Sequence, residues 1–266
     1  MMPPSQTPTP DPQMPVALQD LVRHCDTTLE SPRFRDYCPN GLQVEGRAQV
    51  VRLAAAVTAN QSVLEAAIAW EADALIVHHG YFWRGEAPEV VGMKRRRLKT
   101  LLDSDMSLLA YHLPLDAHPV LGNNARWGQL LGFQDVEPLD REDPQSVGNI
   151  GKLASPMSLD AVAAQVQALT DREPLVIGDG QAAIEQVAWC TGAAQGYIDK
   201  AAAAGVQLYI SGEISEPTVH TARELGIAYM AAGHHATERY GVQALAASLA
   251  ERFDLEWSFI DCDNPV

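Results

Sequence analysis

Eight histidines punctuate this chain, and their positions say more than their number. His78 and His79 follow the apolar run Ala74-Leu75-Ile76-Val77, His112 follows Leu108-Leu109-Ala110-Tyr111, and His234 and His235 follow the apolar stretch 227–232 and Gly233. Each of these five falls at or just beyond the C-terminal end of a predicted strand, the edge at which open α/β sheets bind their ligands. Asp116 stands four residues after His112, and Glu238 four residues after His234. Imidazoles grouped with carboxylates form a donor set that suits zinc, iron, manganese or nickel. A lone imidazole at a strand end is more often a satisfied polar group, and a His and a Glu four apart can simply hydrogen-bond along one helix face. A doubled His ending a buried strand, and the same His-x3-carboxylate spacing twice, favour metal ligation instead. The set exceeds what one tetrahedral ion needs. It suits two cations about 3.5–4 Å apart that share a carboxylate, and with them hydrolysis by an activated water. His24 and His220 fall in predicted helices without partners and read as structural or surface residues, and His118, beside Pro119, stays unassigned.

The surrounding patterns alternate between strand and helix. A helix is expected over 16–29, then a loop with Pro32, Pro39 and the turn pair Asn40-Gly41. A strand over 50–57, a helix over 62–70 and a strand over 74–77 make a βαβ unit, which requires a parallel sheet. A helix over 93–102 and a strand over 108–111 continue the alternation. The second half repeats the plan, with a helix over 159–169, strands over 186–190, 208–210 and 227–231, and intervening helices over 197–204 and 218–225. A helix over 237–252 and a strand over 255–260 close the chain. Segment 73–79 lies over segment 207–213, and the two His-x3-carboxylate pairs correspond, so the halves read as an internal duplication. The expected fold class is α/β, with two related lobes and largely parallel sheets. The expected divisions are a disordered Pro-rich tail at 1–15, a first lobe at 16–134, an acidic, Pro- and Gly-containing connection at 135–151, and a second lobe at 152–266.

Composition narrows the function classes. The 266 residues carry 19 Lys and Arg against 34 Asp and Glu, a net charge of −15, which weighs against a nucleic-acid binder that relies on broad electrostatic attraction. Hydrophobic residues are 47% of the chain, enough for a sizeable core. No run approaches the ~18–20 apolar residues of a membrane helix, and no basic segment followed by an apolar one opens the chain. Cys25, Cys38, Cys190 and Cys262 form no CxxC pair and read as reduced thiols, so a cytoplasmic location is expected.

Three segments taken together carry a family resemblance. They are Ile76-Val77-His78-His79-Gly80-Tyr81-Phe82-Trp83, then Tyr111-His112-Leu113-Pro114-Leu115-Asp116-Ala117-His118-Pro119, then Gly233-His234-His235-Ala236-Thr237-Glu238-Arg239. With the smaller matches Asn40-Gly41-Leu42-Gln43-Val44 and Ser211-Gly212-Glu213, the chain closely resembles the GTP cyclohydrolase I type 2-like family, also called Nif-three-like or YbgI-like dinuclear metal-centre proteins, over about residues 16–266. The resemblance implies a metal site between two α/β lobes and a toroidal homohexamer. It implies two divalent ions held by His78, His79, Asp116, His234 and a bridging Glu238, with His79 and Asp116 completing one ion and His78 and His234 the other. His235 stands where the family usually has a non-ligand residue. His112 and Glu213 are the candidate catalytic, proton-moving residues.

The family name implies that an activated water opens the imidazole ring of a purine nucleotide, with formate released. A triphosphate needs cations, and the run Lys94-Arg95-Arg96-Arg97 with Lys99 is either a solvated helix face, a phosphate patch or a basic lining inside a ring. The loop from Cys190 to Gly196 is a weaker candidate anion cradle. Three functions stand open at this point: a metal-dependent hydrolase acting on a small molecule, a non-catalytic metal-binding scaffold or metal-handling protein, and a single-strand nucleic-acid ring, which the net charge disfavours.

Overall fold

The computed structural model describes residues 14–266, so the expected disordered tail lies, but for Met14 and Pro15, outside the described residues. The chain opens with β1 (Val16–Ala17), α1 (Leu18–Thr28), β2 (Gly41–Val44), β3 (Gln49–Val50) and β4 (Arg52–Thr58). It continues through α2 (Gln61–Ala69), β5 (Ala74–His79), α3 (Gly92–Asp103), β6 (Ser107–Ala110), α4 (Leu113–Ala117) and α5 (Asn123–Leu130). The second half holds β7 (Gln134–Pro138), β8 (Asn149–Ser158), α6 (Leu159–Thr170), β9 (Leu175–Ile177), β10 (Ala183–Cys190), α7 (Ile198–Ala203), β11 (Leu208–Ser211), α8 (Glu216–Leu225) and β12 (Ala228–Ala231). It ends with α9 (His234–Thr237), α10 (Arg239–Phe253) and β13 (Glu256–Phe259).

Two large sheets organise most of these elements, one in the order β13-β4-β5-β6-β2 and the other in the order β7-β8-β10-β11-β12-β9, while β1 and β3 form an antiparallel pair of their own. Each has three parallel central strands in sequence order, β4-β5-β6 and β10-β11-β12, joined by helices, and each caps the third strand with an antiparallel one, β2 and β9. The duplication read in the sequence is thus repeated in the topology.

Both sheets are covered on both faces, and period-2 alternation divides the side chains between the covers. In the first sheet Leu53, Ala55, Ala74 and Ile76 pack against α1 and α10, whereas Ala54, Ala56, Leu75 and Val77 pack against α2 and α3. In the second, Val187, Trp189, Leu208 and Ile210 face α6 and Trp127 of α5, whereas Ala188, Tyr209 and Tyr229 face α7 and α8.

Strand pairing corrects the expected boundaries. The second lobe does not run to residue 266, because β13 pairs in parallel with β4, and α10 buries Val242, Leu245, Ala246 and Leu249 in the first lobe's core. The expected connection is part of the second sheet, where β7 pairs with β8 from Gln134 to Pro138. The chain leaves the first lobe, builds the second and returns. Asn40-Gly41 does not close a free turn: Gly41, at φ +99°, opens β2 on the edge of the first sheet.

Candidate metal centre

The C-terminal ends of the parallel strands bring the predicted residues to one place. His78 and His79 end β5, His112 follows β6 by two residues, Asp116 lies in α4, His234 begins α9, and Glu238 stands between α9 and α10. Glu238 occupies the centre, with its Oε2 3.2 Å from His79 Nε2 and 3.1 Å from His234 Nε2, and its Oε1 3.5 Å from His78 Nε2. Asp116 Oδ1 is also 3.5 Å from His78 Nε2. Two triads share the central carboxylate: His78, Asp116 and Glu238 form one, and His79, His234 and Glu238 the other. This grouping differs from the expected pairing of His79 with Asp116 and of His78 with His234. The two imidazoles of one strand end point to opposite flanks of Glu238 because successive side chains on a strand leave on opposite sides.

The outer nitrogens of the three imidazoles are all engaged. His78 Nδ1 lies 3.0 Å from the Tyr111 carbonyl and must donate to it, which leaves Nε2 with the lone pair. His234 Nδ1 meets Glu213 Oε1 at 2.7 Å, and His79 Nδ1 meets the Thr58 hydroxyl at 3.1 Å. Outer-shell hydrogen bonds of this kind orient metal-binding imidazoles and fix their tautomers. On the inner side, His78 Nε2 and Glu238 Oε2 are buried and make no hydrogen bond of good geometry among the described residues, although imidazole nitrogens and carboxylate oxygens approach within 3.1–3.5 Å. Buried polar atoms are nearly always paired, and leaving one unpaired costs about 1–3 kcal/mol. Orphaned nitrogen and carboxylate donors converging on one point are what a cation would satisfy, so this residue set fits the divalent ions that the resemblance implies.

The electrostatics follow from burial and crowding. Burial pulls the His78 imidazole down, but Asp116 and Glu238 outweigh it and hold its pKa at about 9. His234 is likewise raised to about 9, by Glu238 and Glu213 against burial. For His79 burial prevails despite Glu238, with the His78, His234 and His112 rings adding to it, and the pKa falls to about 3. Burial raises the Asp116 carboxyl above its ordinary range, with Glu238 adding to the effect. Glu238 is held well below the usual carboxylate range: burial acts to raise it, and His78 and His79 overcome that. Cys190, at the same site, has its thiol pushed well up by burial and by the Asp116 and Glu238 charges, so it offers no thiolate nucleophile.

His112 does not join either triad. Its Nδ1 donates to Asp36 Oδ1 at 2.7 Å, and Trp83 stands edge-on to its ring at 5.0 Å between centroids. The ring borders a cavity of about 730 Å³ that opens onto Asp116, His79, His234 and Glu238. Glu213 does not line that cavity. It borders a smaller hollow together with His234 and His79, and its carboxylate meets His234 Nδ1. His235 pairs with Asp261, at 3.0 Å.

Several residues at the site are not marked in the sequence. Asp36 holds His112 and accepts from Leu113 N at 2.9 Å, but it precedes Tyr37 and Cys38 in a loop with no periodic pattern to mark it. Asn123 donates to Asp116 Oδ1 and accepts from Gly241 N, and Asn124 bonds the Asp116 carbonyl and Thr191 N, all within buried structure. The pair Asn123-Asn124 opening a helix is the available signal. Gly192, at φ +70°, packs against the central carboxylate so closely that a Cβ would lie 2.1 Å from Glu238 Oε1. Gly212 of the Ser211-Gly212-Glu213 motif has the same kind of reason to be glycine, since a Cβ would come within 2.6 Å of the Gly192 carbonyl. The Lys94–Lys99 run lies on α3 and borders no part of the large cavity, and Lys94 and Arg97 rest over the Phe82 and Tyr81 rings.

A two-lobed α/β protein with a carboxylate–imidazole cluster at the facing strand ends is the class defined by fold and site. The chain belongs to the Duf34/NIF3 (NGG1p interacting factor 3) family, whose sequence profile matches residues 16–265. It is 58% identical over 253 residues to a GTP cyclohydrolase 1 type 2 homolog of Pseudomonas aeruginosa, covering 95% of this chain and 100% of that one. A protein of the same description from Escherichia coli is 50% identical over 248 residues, covering 93% and 98%. Among solved structures, protein ybgI, of unknown function, superposes with a TM-score of 0.90 at 47% identity, covering 94% of this chain and all of that one. A protein from Thermus thermophilus gives 0.86 at 37% identity with the same coverage. No helix among the described residues is long and apolar enough to cross a membrane.

Proposed function

We propose that this protein is a dinuclear-metal-dependent hydrolase of a purine-nucleotide-like small molecule. The reading rests on one observation above all: three imidazoles with engaged outer nitrogens converge on Glu238, leaving His78 Nε2 and Glu238 Oε2 orphaned. His78, Asp116 and Glu238 would hold one divalent ion, and His79, His234 and Glu238 the second; zinc, iron, manganese and nickel all suit these donors. Bound there, such ions supply a Lewis acid and an activated water at neutral pH. The chain's own residues do the rest. Asp36 fixes the His112 tautomer by taking the Nδ1 hydrogen bond, so that His112 Nε2 is free to move a proton at the cavity wall. Glu213 does the same for His234 and keeps its Nε2 turned to Glu238. Trp83, Tyr37 and Tyr197 line the cavity, and their rings suit a planar heterocycle.

The relatives' description as GTP cyclohydrolase homologs supplies the substrate class for this reading, with ring opening and formate release as the reaction. A cytoplasmic location and the toroidal homohexamer implied by the resemblance belong to the same proposal. The test is elemental analysis of protein purified without added metal or chelator, beside Glu238→Ala, followed by formate release from GTP. About two equivalents of transition metal per chain, falling sharply in the variant, with formate released only by the wild type, is the expected result. Metal bound by an inert wild type across a panel of nucleotides would leave the metal-binding scaffold instead. No metal in either protein after reconstitution would remove the centre altogether.

A further inference from the structure

Two ends of the 730 Å³ cavity differ in chemistry. The inner end is the carboxylate–imidazole cluster. The exposed part of the lining includes Arg35, among the described residues the one Lys or Arg side chain that lines the cavity. It is exposed, and no carboxylate lies within ion-pair distance of it among the described residues. A cation that lines the cavity without a carboxylate partner is available to an anion that enters it. Asp143, an exposed acid of the same lining, has a carboxylate oxygen engaged by Gln145 N at 2.9 Å.

The segment that carries Arg35 is held in place. The next residue, Asp36, is tied to His112 and Leu113, and Arg84 donates to the Asp36 carbonyl at 2.7 Å while resting over the Tyr37 ring. The Arg33 carbonyl accepts from Gln145. Arg35 is thus presented by a loop fixed at both ends, and Tyr37 of the same loop also lines the cavity. A guanidinium fork on a cavity that is also lined by the Tyr37, Trp83 and Tyr197 rings is suited to an anionic oxygen group attached to a planar heterocycle. The basic run on α3, the more obvious source of positive charge, faces elsewhere.

The geometry points to Arg35 as the specificity-determining residue of the cavity, reading a phosphate or similar oxyanion on the end of the substrate that lies away from the carboxylate–imidazole cluster. This inference rests on the reading of the cavity as a substrate site, and the two can fail separately. The protein as purified with its metal is titrated by calorimetry with guanosine, guanosine 5′-monophosphate and ribose 5-phosphate, beside Arg35→Gln and Arg35→Lys. The wild type should bind the monophosphate roughly tenfold more tightly than guanosine, a gap expected of one charge-assisted contact near the surface. Arg35→Gln should close that gap without altering guanosine affinity or the melting temperature, and Arg35→Lys should retain part of it.

Equal binding of guanosine and its monophosphate by the wild type overturns the inference, and so does a gap that survives in Arg35→Gln, because the anion is then read elsewhere. A wild type that binds neither purine overturns the purine reading instead. Ribose 5-phosphate then decides the inference alone: binding lost in Arg35→Gln upholds it, and absent or Arg35-independent binding overturns it.

Discussion

Asp36 shows how one carboxylate can serve both stability and chemistry. Its side chain is only 2% exposed. Burial alone raises its pKa, but the His112 hydrogen bond and charge, with Asn40 and Tyr37 N, more than compensate and bring it from 3.8 to about 2. A group with a depressed folded-state pKa contributes stability that is present above its unfolded value and lost as pH falls through the folded one. The window for Asp36 therefore runs from about pH 4 down to about pH 2, and the shift corresponds to about 2 kcal/mol. Urea melts of the wild type and Asp36→Asn at pH 5 and pH 2 should show a stability difference of this size at the higher pH, nearly vanishing at the lower one. A difference that does not change with pH would mean that the ionised form has no special role. In the same variant the charge is gone and the amide NH2 must face either Leu113 N or His112 Nδ1, so the His112 tautomer is held less firmly and formate release should fall further than metal content does.

At the scale of elements, the parallel core is legible in the sequence and what attaches to it is hidden. The strands β4, β5, β6, β10, β11 and β12 are apolar runs buried on both faces, a pattern that needs no partner to be read. The ten-residue β8 escapes because Asn149–Ser158 mixes Gly151, Lys152 and Pro156 on a half-exposed strand, and β9 is three residues following Pro174. The final helix reads as continuous from 237, yet it breaks at Glu238, at φ −104° and ψ 9°, where no helix-breaking residue marks the site. The site's imidazoles and carboxylates are legible because they repeat at corresponding strand ends, whereas their supports Asp36 and Asn124 act through contacts distant in sequence. Asn124 bridges the lobes, donating to the Asp116 carbonyl and accepting from Thr191 N, both buried. Asn124→Ala leaves both groups unpaired and should cost about 2 kcal/mol or more, with weaker metal retention because both the Asp116 backbone and the loop under Gly192 lose an anchor. Stability within about 0.5 kcal/mol of the wild type in a denaturant melt would show that the bridge is dispensable.

The whole molecule is not two consecutive halves, and this bears on how the centre is held. After β12 the chain passes His234 and Glu238 and then runs as α10 back onto the first sheet, so the central carboxylate stands where the chain crosses between lobes. His78, His79 and Asp116 belong to one lobe, His234 to the other, and Glu238 is anchored on one side by α9 and on the other by a helix sunk in the first core. Separating the lobes would therefore part His234 from His79 and break the second triad, whichever lobe Glu238 followed. Leu249 tests this arrangement: it is fully buried against first-lobe residues although it lies 11 residues beyond Glu238, inside the expected second lobe. Leu249→Ala should cost about 2–5 kcal/mol by opening a cavity. Hydrogen exchange should show the lost protection on β4 and β5, with β10, β11 and β12 changed less. The reverse pattern would assign α10 to the second lobe's core and restore a simple division of the chain. The expected pattern carries a second consequence, a lowered metal occupancy without any change to a ligand, because the helix that fixes Glu238 in the first lobe has been loosened.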